Sequence, residues 1–312
     1  MTVGNILVIG SINYDFILSQ DRLPRRGETL SATAMRSAFG GKGANQAVQA
    51  ARLGASVEFL GAVGDDAHGR ESRANFEQQG VTCILRDSPY ATGLGVVHVT
   101  DAGEVYATIF EGANSSVDSD WVETQRDRVE HADTVILQNE IPAEANSRAI
   151  VLASGLGIPV IYNAAPARPV DPALTNLCSW FIVNEDEAQF YLGRDLGDVT
   201  DHDAMTEAVT SLQRYCSGVI LTVGRHGCYL SVGTEVHFIG ATPAHAVDST
   251  GAGDSFVGAF ATALLGGADA PDAARAASLV AARTVTGVGA QSSMPMREDM
   301  TNATVFASPT DS

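Results

Sequence analysis

The run Asp248-Ser-Thr-Gly-Ala-Gly-Asp254 holds the residue types needed to move a proton beside a bound anion. Gly251, Ala252 and Gly253 stand at the start of a predicted helix. There, free backbone N–H groups and the helix dipole favour negative charge, and small side chains let a phosphate reach the main chain. Asp254, in the first turn, is placed to accept a proton from an attacking hydroxyl. A first-turn acid also complements the helix dipole with no chemistry at all, and the run alone leaves both readings open. A second run, Phe39-Gly-Gly-Lys-Gly-Ala-Asn-Gln46, places glycines around Lys42 and opens another helix, as a loop wrapping a small polar ligand would. It is not a Walker A motif, because Gly43 follows Lys42 where serine or threonine is required. Lys42 is the single lysine against 18 arginines. That bias suits a compact, flexible ammonium where a planar guanidinium does not fit, and an incidental cation in a glycine-rich turn is the plainer alternative.

In Gly10-Ser-Ile-Asn-Tyr-Asp15, after the first apolar run, Asn13 and Asp15 alternate to one side and could bind sugar hydroxyls, or simply build a turn. Further polar clusters follow other strand-like runs: Glu140, then Asn184-Glu-Asp-Glu187, then Thr222-Val-Gly-Arg-His-Gly227. Asn184 and Glu187, three apart, could face hydrated Mg²⁺ or form a helix cap. No Gly-x-Gly-x-x-Gly follows the first strand, which argues against a dinucleotide oxidoreductase. Ser255 lies after all seven histidines, against the Ser-then-His order of α/β hydrolases.

These residues need a scaffold. Apolar runs at 6–10, 57–61, 134–137, 160–162, 181–183 and 218–223 read as strands. Helical stretches at 44–53, 67–79, 117–129, 143–153, 185–192, 203–215, 251–265 and 271–285 alternate with them, the pattern of a mostly parallel α/β sheet. Segments 11–18, 29–37, 93–99 and 105–110 alternate at period two without partner helices; they read as an inserted antiparallel sheet acting as a lid, or as extra edge strands. One α/β domain over 1–300 with a frayed tail at 301–312 is expected.

Composition narrows the class. With 312 residues, 45% hydrophobic and 18% charged, the chain can bury a large core. Its net charge of −18 repels polyanions, which excludes generic nucleic-acid binding and requires any phosphate to be held locally. Residues 149–167 carry glycines and prolines and do not read as a membrane span, and Asn5 and Asp15 interrupt any secretory leader. Cys83, Cys178, Cys216 and Cys228 show no ligand spacing, so free thiols in a reducing cytoplasm are expected.

Taken together, the motifs resemble the ribokinase branch of the PfkB carbohydrate kinase family. Gly10-Ser-Ile-Asn-x-Asp15, Gly40-Gly-Lys-Gly-Ala-Asn-Gln46, Gly112-Ala-Asn114, Asn163-x-Ala-Pro-Ala167, Asn184-x-x-Glu187, Thr222-x-Gly-x-x-Gly227 and Asp248-x-x-x-Ala-Gly-Asp254 occur in family order across essentially the whole chain. The resemblance implies a three-layer α/β/α fold with a small β-sheet lid, a homodimer formed through that lid, and ATP-dependent phosphorylation of the 5-hydroxyl of D-ribose. By the resemblance Asp254 is the base, with the Gly251, Ala252 and Gly253 amides as anion hole. Asn13, Tyr14, Asp15, Gly41, Lys42, Gly43, Ala44, Asn45 and Glu140 then form the sugar site. Asn184, Thr222, Val223, Gly224, Arg225, His226, Gly227, Gly253 and Ser278 form the ATP site, and Glu187 organises Mg²⁺ through water. An activating K⁺ falls to Asp248, Thr250, Thr284, Gly287, Gly289 and Ser293. Two alternatives stay open: a kinase for deoxyribose, another pentose or a nucleoside, and a non-catalytic sugar-binding regulator.

Overall fold

In the computed structural model, which describes residues 4–300 and 304–306, the run Asn5–Ile9 forms the inner strand β1, with every residue after Asn5 buried. A strand covered on both faces needs apolar side chains at successive positions, as this one has. The remaining strands are β2 (Asn13–Gln20), β3 (Ala34–Gly40), β4 (Ser56–Gly64), β5 (Thr82–Ser88), β6 (Gly93–Thr100), β7 (Val105–Phe110), β8 (Thr134–Gln138), β9 (Val160–Asn163), β10 (Trp180–Val183), β11 (Gly218–Thr222), β12 (Gly227–Val232) and β13 (Glu235–Gly240). Nine of them make one sheet in the order β13-β12-β11-β10-β9-β8-β1-β4-β5. Pairing is parallel from β5 across to β11 and antiparallel at β12 and β13.

Alternation along the strands divides the core in two. Ile6, Val8, Ile136 and Ile182 face the helices Lys42–Arg52, Ala252–Leu265 and Ala270–Thr284, through Ala47, Phe256, Phe260 and Val280. Leu7, Ile9, Val135 and Phe181 face the helices Ala143–Leu156 and His202–Leu212, through Ile150, Met205 and Leu212. The result is the expected α/β/α layering.

The other four strands form a separate sheet, β3-β2-β6-β7, and not an extension of the main one. It is mixed where an antiparallel sheet was expected: β2 pairs with β3, and β6 with β7, antiparallel, but β2 and β6 run parallel in register from Asn13↔Gly93 to Gln20↔Thr100. The reason is connectivity. Between β2 and β6 the chain passes through β3, two helices, β4 and β5, a crossover long enough to reset direction.

Three further expectations are corrected. The helix expected at 117–129 is two short ones, Ser119–Thr124 and Arg126–Glu130, broken at Gln125. β5, β12 and β13 were not legible as strands. In the tail expected to fray, the turn Thr304–Phe306 buries Phe306 in the core beside Met300; the rest of that tail lies outside the described residues. No helix among the described residues is long and apolar enough to cross a membrane. All four cysteines are free.

Candidate active site

Where parallel strands end, their last residues and the following helix starts point toward one side of the sheet, and ligands gather there. Here Asn163, Asn184 and Thr222, at the ends of β9, β10 and β11, join Lys42, Gly251, Gly253 and Asp254, from two helix starts, around a cavity of about 210 Å³.

Asp254 is its centre, only 7% exposed. Oδ2 accepts a hydrogen bond from Asn45 Nδ2 at 2.9 Å, and Oδ1 one from Gln46 Nε2 at 3.0 Å. Burial pushes its proton affinity above the ordinary carboxylate value, while Lys42 and the two amides act in the opposite direction. A buried carboxylate with raised proton affinity that accepts from two amides is chemically able to take up a proton. Gly251 caps the helix Ala252–Leu265. The amides of Gly251 and Gly253 have no acceptor among the described residues, whereas the Ala252 amide bonds the Ser249 carbonyl at 3.2 Å. Of the three amides expected to hold an anion, those of Gly251 and Gly253 are the free ones.

Lys42 starts the helix Lys42–Arg52 behind Gly41, whose φ of +89° no side chain adopts readily and where a Cβ would stand 2.8 Å from the Asn13 nitrogen. The Lys42 amide donates to Glu140 Oε2 at 2.9 Å, and the same oxygen accepts the Ser11 hydroxyl at 2.6 Å. Burial opposes the Lys42 charge, but Asp254, Glu140 and Glu187 outweigh it and hold the proton more tightly than usual. Gly43 and Ala44 fix the loop through their amides, to Ser11 Oγ and to the Ser11 carbonyl, and the Ala44 side chain belongs to the core.

Asn13 and Asp15 share one face of β2. Asn114 Nδ2 donates to Asn13 Oδ1 at 2.9 Å, leaving the Asn13 amide hydrogens free for a ligand. Asp15 fits only because its neighbour on β6 is glycine: a Cβ on Gly95 would lie 2.2 Å from Asp15 Oδ1. Burial first, then Glu140, pushes the Asp15 carboxyl up to about 6, and its Oδ1 is buried without a partner. Such an atom favours a ligand that brings a donor. Tyr14 is a correction. Alternation turns it to the opposite face, where its ring stacks on His68 at 4.3 Å and its hydroxyl donates to Ser37 Oγ.

Among the residues expected to bind the nucleotide, Asn184 and Glu187 form a reciprocal helix cap: Asn184 Oδ1 accepts from the Glu187 amide and Glu187 Oε2 from the Asn184 amide, both at 2.8 Å. Glu187 Oε1 has no hydrogen bond among the described residues, and burial raises this carboxyl too. An oxygen acceptor of this kind suits a hydrated divalent cation. Val223 is buried, with its amide on the Gly227 carbonyl at 2.8 Å; Gly224 and Arg225 are exposed, and Arg225 Nε lies against His226 Nε2 at 3.2 Å. Ser278 is buried on its helix and does not line the cavity.

Of the residues expected around a monovalent cation, Asp248, Thr250 and Gly289 are joined directly and Gly287 and Ser293 pack beside them, whereas Thr284 ends its helix. Asp248 accepts from the Thr250 amide and hydroxyl and from the Gly289 amide, and Arg36 stands 3.4 Å away. Burial opposes its charge, but these partners hold its carboxyl below the usual range. Ser293 Oγ donates to the Gly289 and Ala290 carbonyls, a Cβ on Gly287 would press on Ser293, and Thr284 bonds Ser255. An all-oxygen set is the chemistry of a hard cation, although here Asp248 faces amides and Arg36. Three residues given no role on sequence prove central: Gln46 on Asp254, Asn114 on Asn13, and Ser11 on Glu140. All three belong to the quoted motifs, which was the available signal.

The α/β/α fold, with a buried carboxylate beside two free helix-start amides, is an arrangement suited to phosphoryl transfer. A family model described as pfkB family carbohydrate kinase matches residues 3–297, and the chain belongs to that family. It is a kinase, a phosphotransferase with an alcohol acceptor. Among its relatives, the chain is 35% identical to the ribokinase of Bacillus subtilis over 95% of this chain and 98% of that one. It is 34% identical to the deoxyribokinase of Salmonella typhi, covering 94% and 96%. The structure is similar to that of Arabidopsis thaliana ribokinase complexed with ribose and ATP, with a TM-score of 0.86, 30% identity and coverage of 99% and 100%.

Proposed function

We propose that this kinase transfers the terminal phosphoryl group of ATP to the 5-hydroxyl of D-ribose, giving ribose 5-phosphate. The observation that carries the reading is Asp254, buried at an amide nest with both carboxylate oxygens anchored and Asn45 beside it. The relatives named ribokinase, and the Arabidopsis structure with ribose and ATP, support the substrate pair.

Asn13, Asp15, Gly41, Lys42, Asn45 and Glu140 hold the sugar. Asp254 takes the proton of the attacking hydroxyl, and the Gly251 and Gly253 amides meet the charge that grows on the moving group. Thr222 and Gly224 to Gly227 border the nucleotide, with Lys42 offsetting phosphate charge. Glu187, through water, and Asn184 would hold Mg²⁺, which neutralises part of the phosphate charge when bound. The Asp248, Thr250, Thr284, Gly287, Gly289 and Ser293 cluster is assigned to K⁺. The exposed Met35, Val105, Ile109 and Phe110 of the small sheet support a homodimer through that sheet. Free cysteines support a cytoplasmic setting.

A coupled assay with ATP, Mg²⁺ and K⁺ over ribose, deoxyribose, fructose and adenosine tests this. Ribose is expected to give the highest kcat/KM. Turnover with deoxyribose alone rejects the substrate, and turnover with none favours a sugar-binding regulator. In the same assay, indifference to exchanging K⁺ for Na⁺ rejects the cation ligands.

A further inference from the structure

Behind Asn45 and Gln46 lies a second set of buried amides from distant parts of the chain. Gln138, at the end of β8, donates through Nε2 to Gln46 Oε1 at 2.7 Å. Gln291, in the segment after the helix Ala270–Thr284, donates through Nε2 to Asn45 Oδ1 at 3.1 Å. Its own Oε1 accepts Asn75 Nδ2 at 2.8 Å, and Arg52 anchors its backbone carbonyl at 2.6 Å. Gln46 gives its other hydrogen to Asn163 Oδ1 at 3.0 Å. The six amide side chains are all buried. Each carboxylate oxygen of Asp254 is thus the end of its own amide chain: Gln138 to Gln46 to Oδ1, and Asn75 to Gln291 to Asn45 to Oδ2.

The polarity of both chains follows from Asp254. A carboxylate only accepts, so Asn45 and Gln46 must turn their NH₂ groups to it. Their carbonyl oxygens then point into buried space, where an unmatched acceptor costs about 1–3 kcal/mol. Gln138 and Gln291 are the donors that meet them. Flipping Asn45, Gln46 or Gln291 sets oxygen against oxygen at one end and NH₂ against NH₂ at the other, while Gln138 begins its chain with its own Oε1 buried and unpartnered. No part of this network is local in sequence, and apolar side chains would fill the same space at less risk.

We propose that Gln138 and Gln291 are positioning residues for the phosphoryl transfer, fixing the direction of the Gln46 and Asn45 amides so that Asp254 cannot rotate away from the sugar hydroxyl. This rests on the reading of Asp254 as the base. One lone pair on each oxygen is used, and the other stays free for the substrate. Placement to within a fraction of an ångström is what separates a productive base from a nearby carboxylate.

The test is the full-length Gln138→Met variant, which keeps side-chain length and removes the donor, beside Asn75→Ala at the outer end of the second chain. For Gln138→Met, kcat is expected to fall by roughly 3- to 10-fold with the ribose KM within about twofold, because Gln46 does not belong to the sugar set. The acid limb of kcat is expected to move to higher pH, since Gln46, no longer held by Gln138, donates less firmly to the charged form of Asp254. Asn75→Ala shifts both in the same directions by less. A folded Gln138→Met protein with wild-type kcat and acid limb overturns the proposal. Should that variant not fold, exchange of the Gln46 and Asn45 side-chain amide hydrogens in the unaltered protein decides. Slow exchange is expected, and exchange at the rate of exposed amides overturns the proposal. Failure of the kinase reading is distinct, because the unaltered enzyme then turns over no sugar.

Discussion

The two ends of the proposed site, for sugar and for nucleotide, are built differently. On the sugar side, Asp254, Asn13 and Glu140 are each held by named hydrogen bonds to Asn45, Gln46, Asn114, Ser11 and the Lys42 amide, most of them buried. On the nucleotide rim, Gly224 and Arg225 are exposed, Thr222 makes one long bond of 3.4 Å to the Val183 carbonyl, and the Ala241–Thr250 approach carries no regular structure. The difference teaches which partner must be read by geometry. Hydroxyls on a small sugar differ from one another only in position, so discrimination needs donors and acceptors fixed beforehand. A nucleotide brings phosphate charge and a broad ring, which backbone amides and a shallow shelf can hold. Substitutions on the two sides should therefore have unequal consequences.

The largest expected effect lies at the fixed end. Asp254→Asn keeps the shape but cannot take a proton, so kcat should fall by ~10²-fold or more while sugar and ATP affinities, measured by calorimetry, stay near wild type. A near-normal rate would remove Asp254 from the chemistry.

Asp15 comes next, with two readouts of opposite sign. As pH falls through about 6, the Asp15 carboxyl takes a proton and loses its acceptor role, so the ribose KM should rise, and in Asp15→Asn it should be high at every pH. The folded value stands above the ordinary 3.8, so the folded protein binds this proton more tightly than the unfolded chain does. Stability from this group is then greatest in acid and is lost as pH rises from about 4 to about 6, a cost of roughly 3 kcal/mol at neutral pH. Asp15→Asn should accordingly melt at a higher temperature at pH 7 while binding ribose less well. A variant that melts lower and binds ribose normally would contradict both parts.

The smallest effect belongs to the open rim. Arg225→Ala should change the ATP KM by no more than about twofold, in keeping with a solvated side chain. A tenfold change would erase the contrast between the two ends.

How much of this was legible in the sequence depended on where the signal lay. The inner strands read clearly because of the unbroken apolar runs at 6–9 and 135–137, and the glycine-rich helix starts marked Lys42 and Asp254. β5 is an edge strand carrying Arg86 and Asp87, so its half-polar run did not stand out. β12 begins at Gly227, the last residue of the Thr222–Gly227 motif, so the strand start coincides with a glycine-bounded loop that carries no alternation of its own. Phe306 is one aromatic in a polar tail, and period counting cannot find a single anchor. Tyr14 was placed with its neighbours in sequence although strand alternation sends it away from them. Gln46 and Asn114 were visible as motif members, but their roles depend on Asp254 and Asn13, 208 and 101 residues away, and no local pattern encodes such a pairing.

The most direct measurement is a crystal structure with ribose and a non-hydrolysable ATP analogue. The ribose 5-hydroxyl is expected within hydrogen-bond distance of the Asp254 carboxylate, with the terminal phosphate on the Gly251 and Gly253 amides. A ribose whose 5-hydroxyl faces away from Asp254, or a phosphate bound elsewhere than at that helix start, would contradict the assignment.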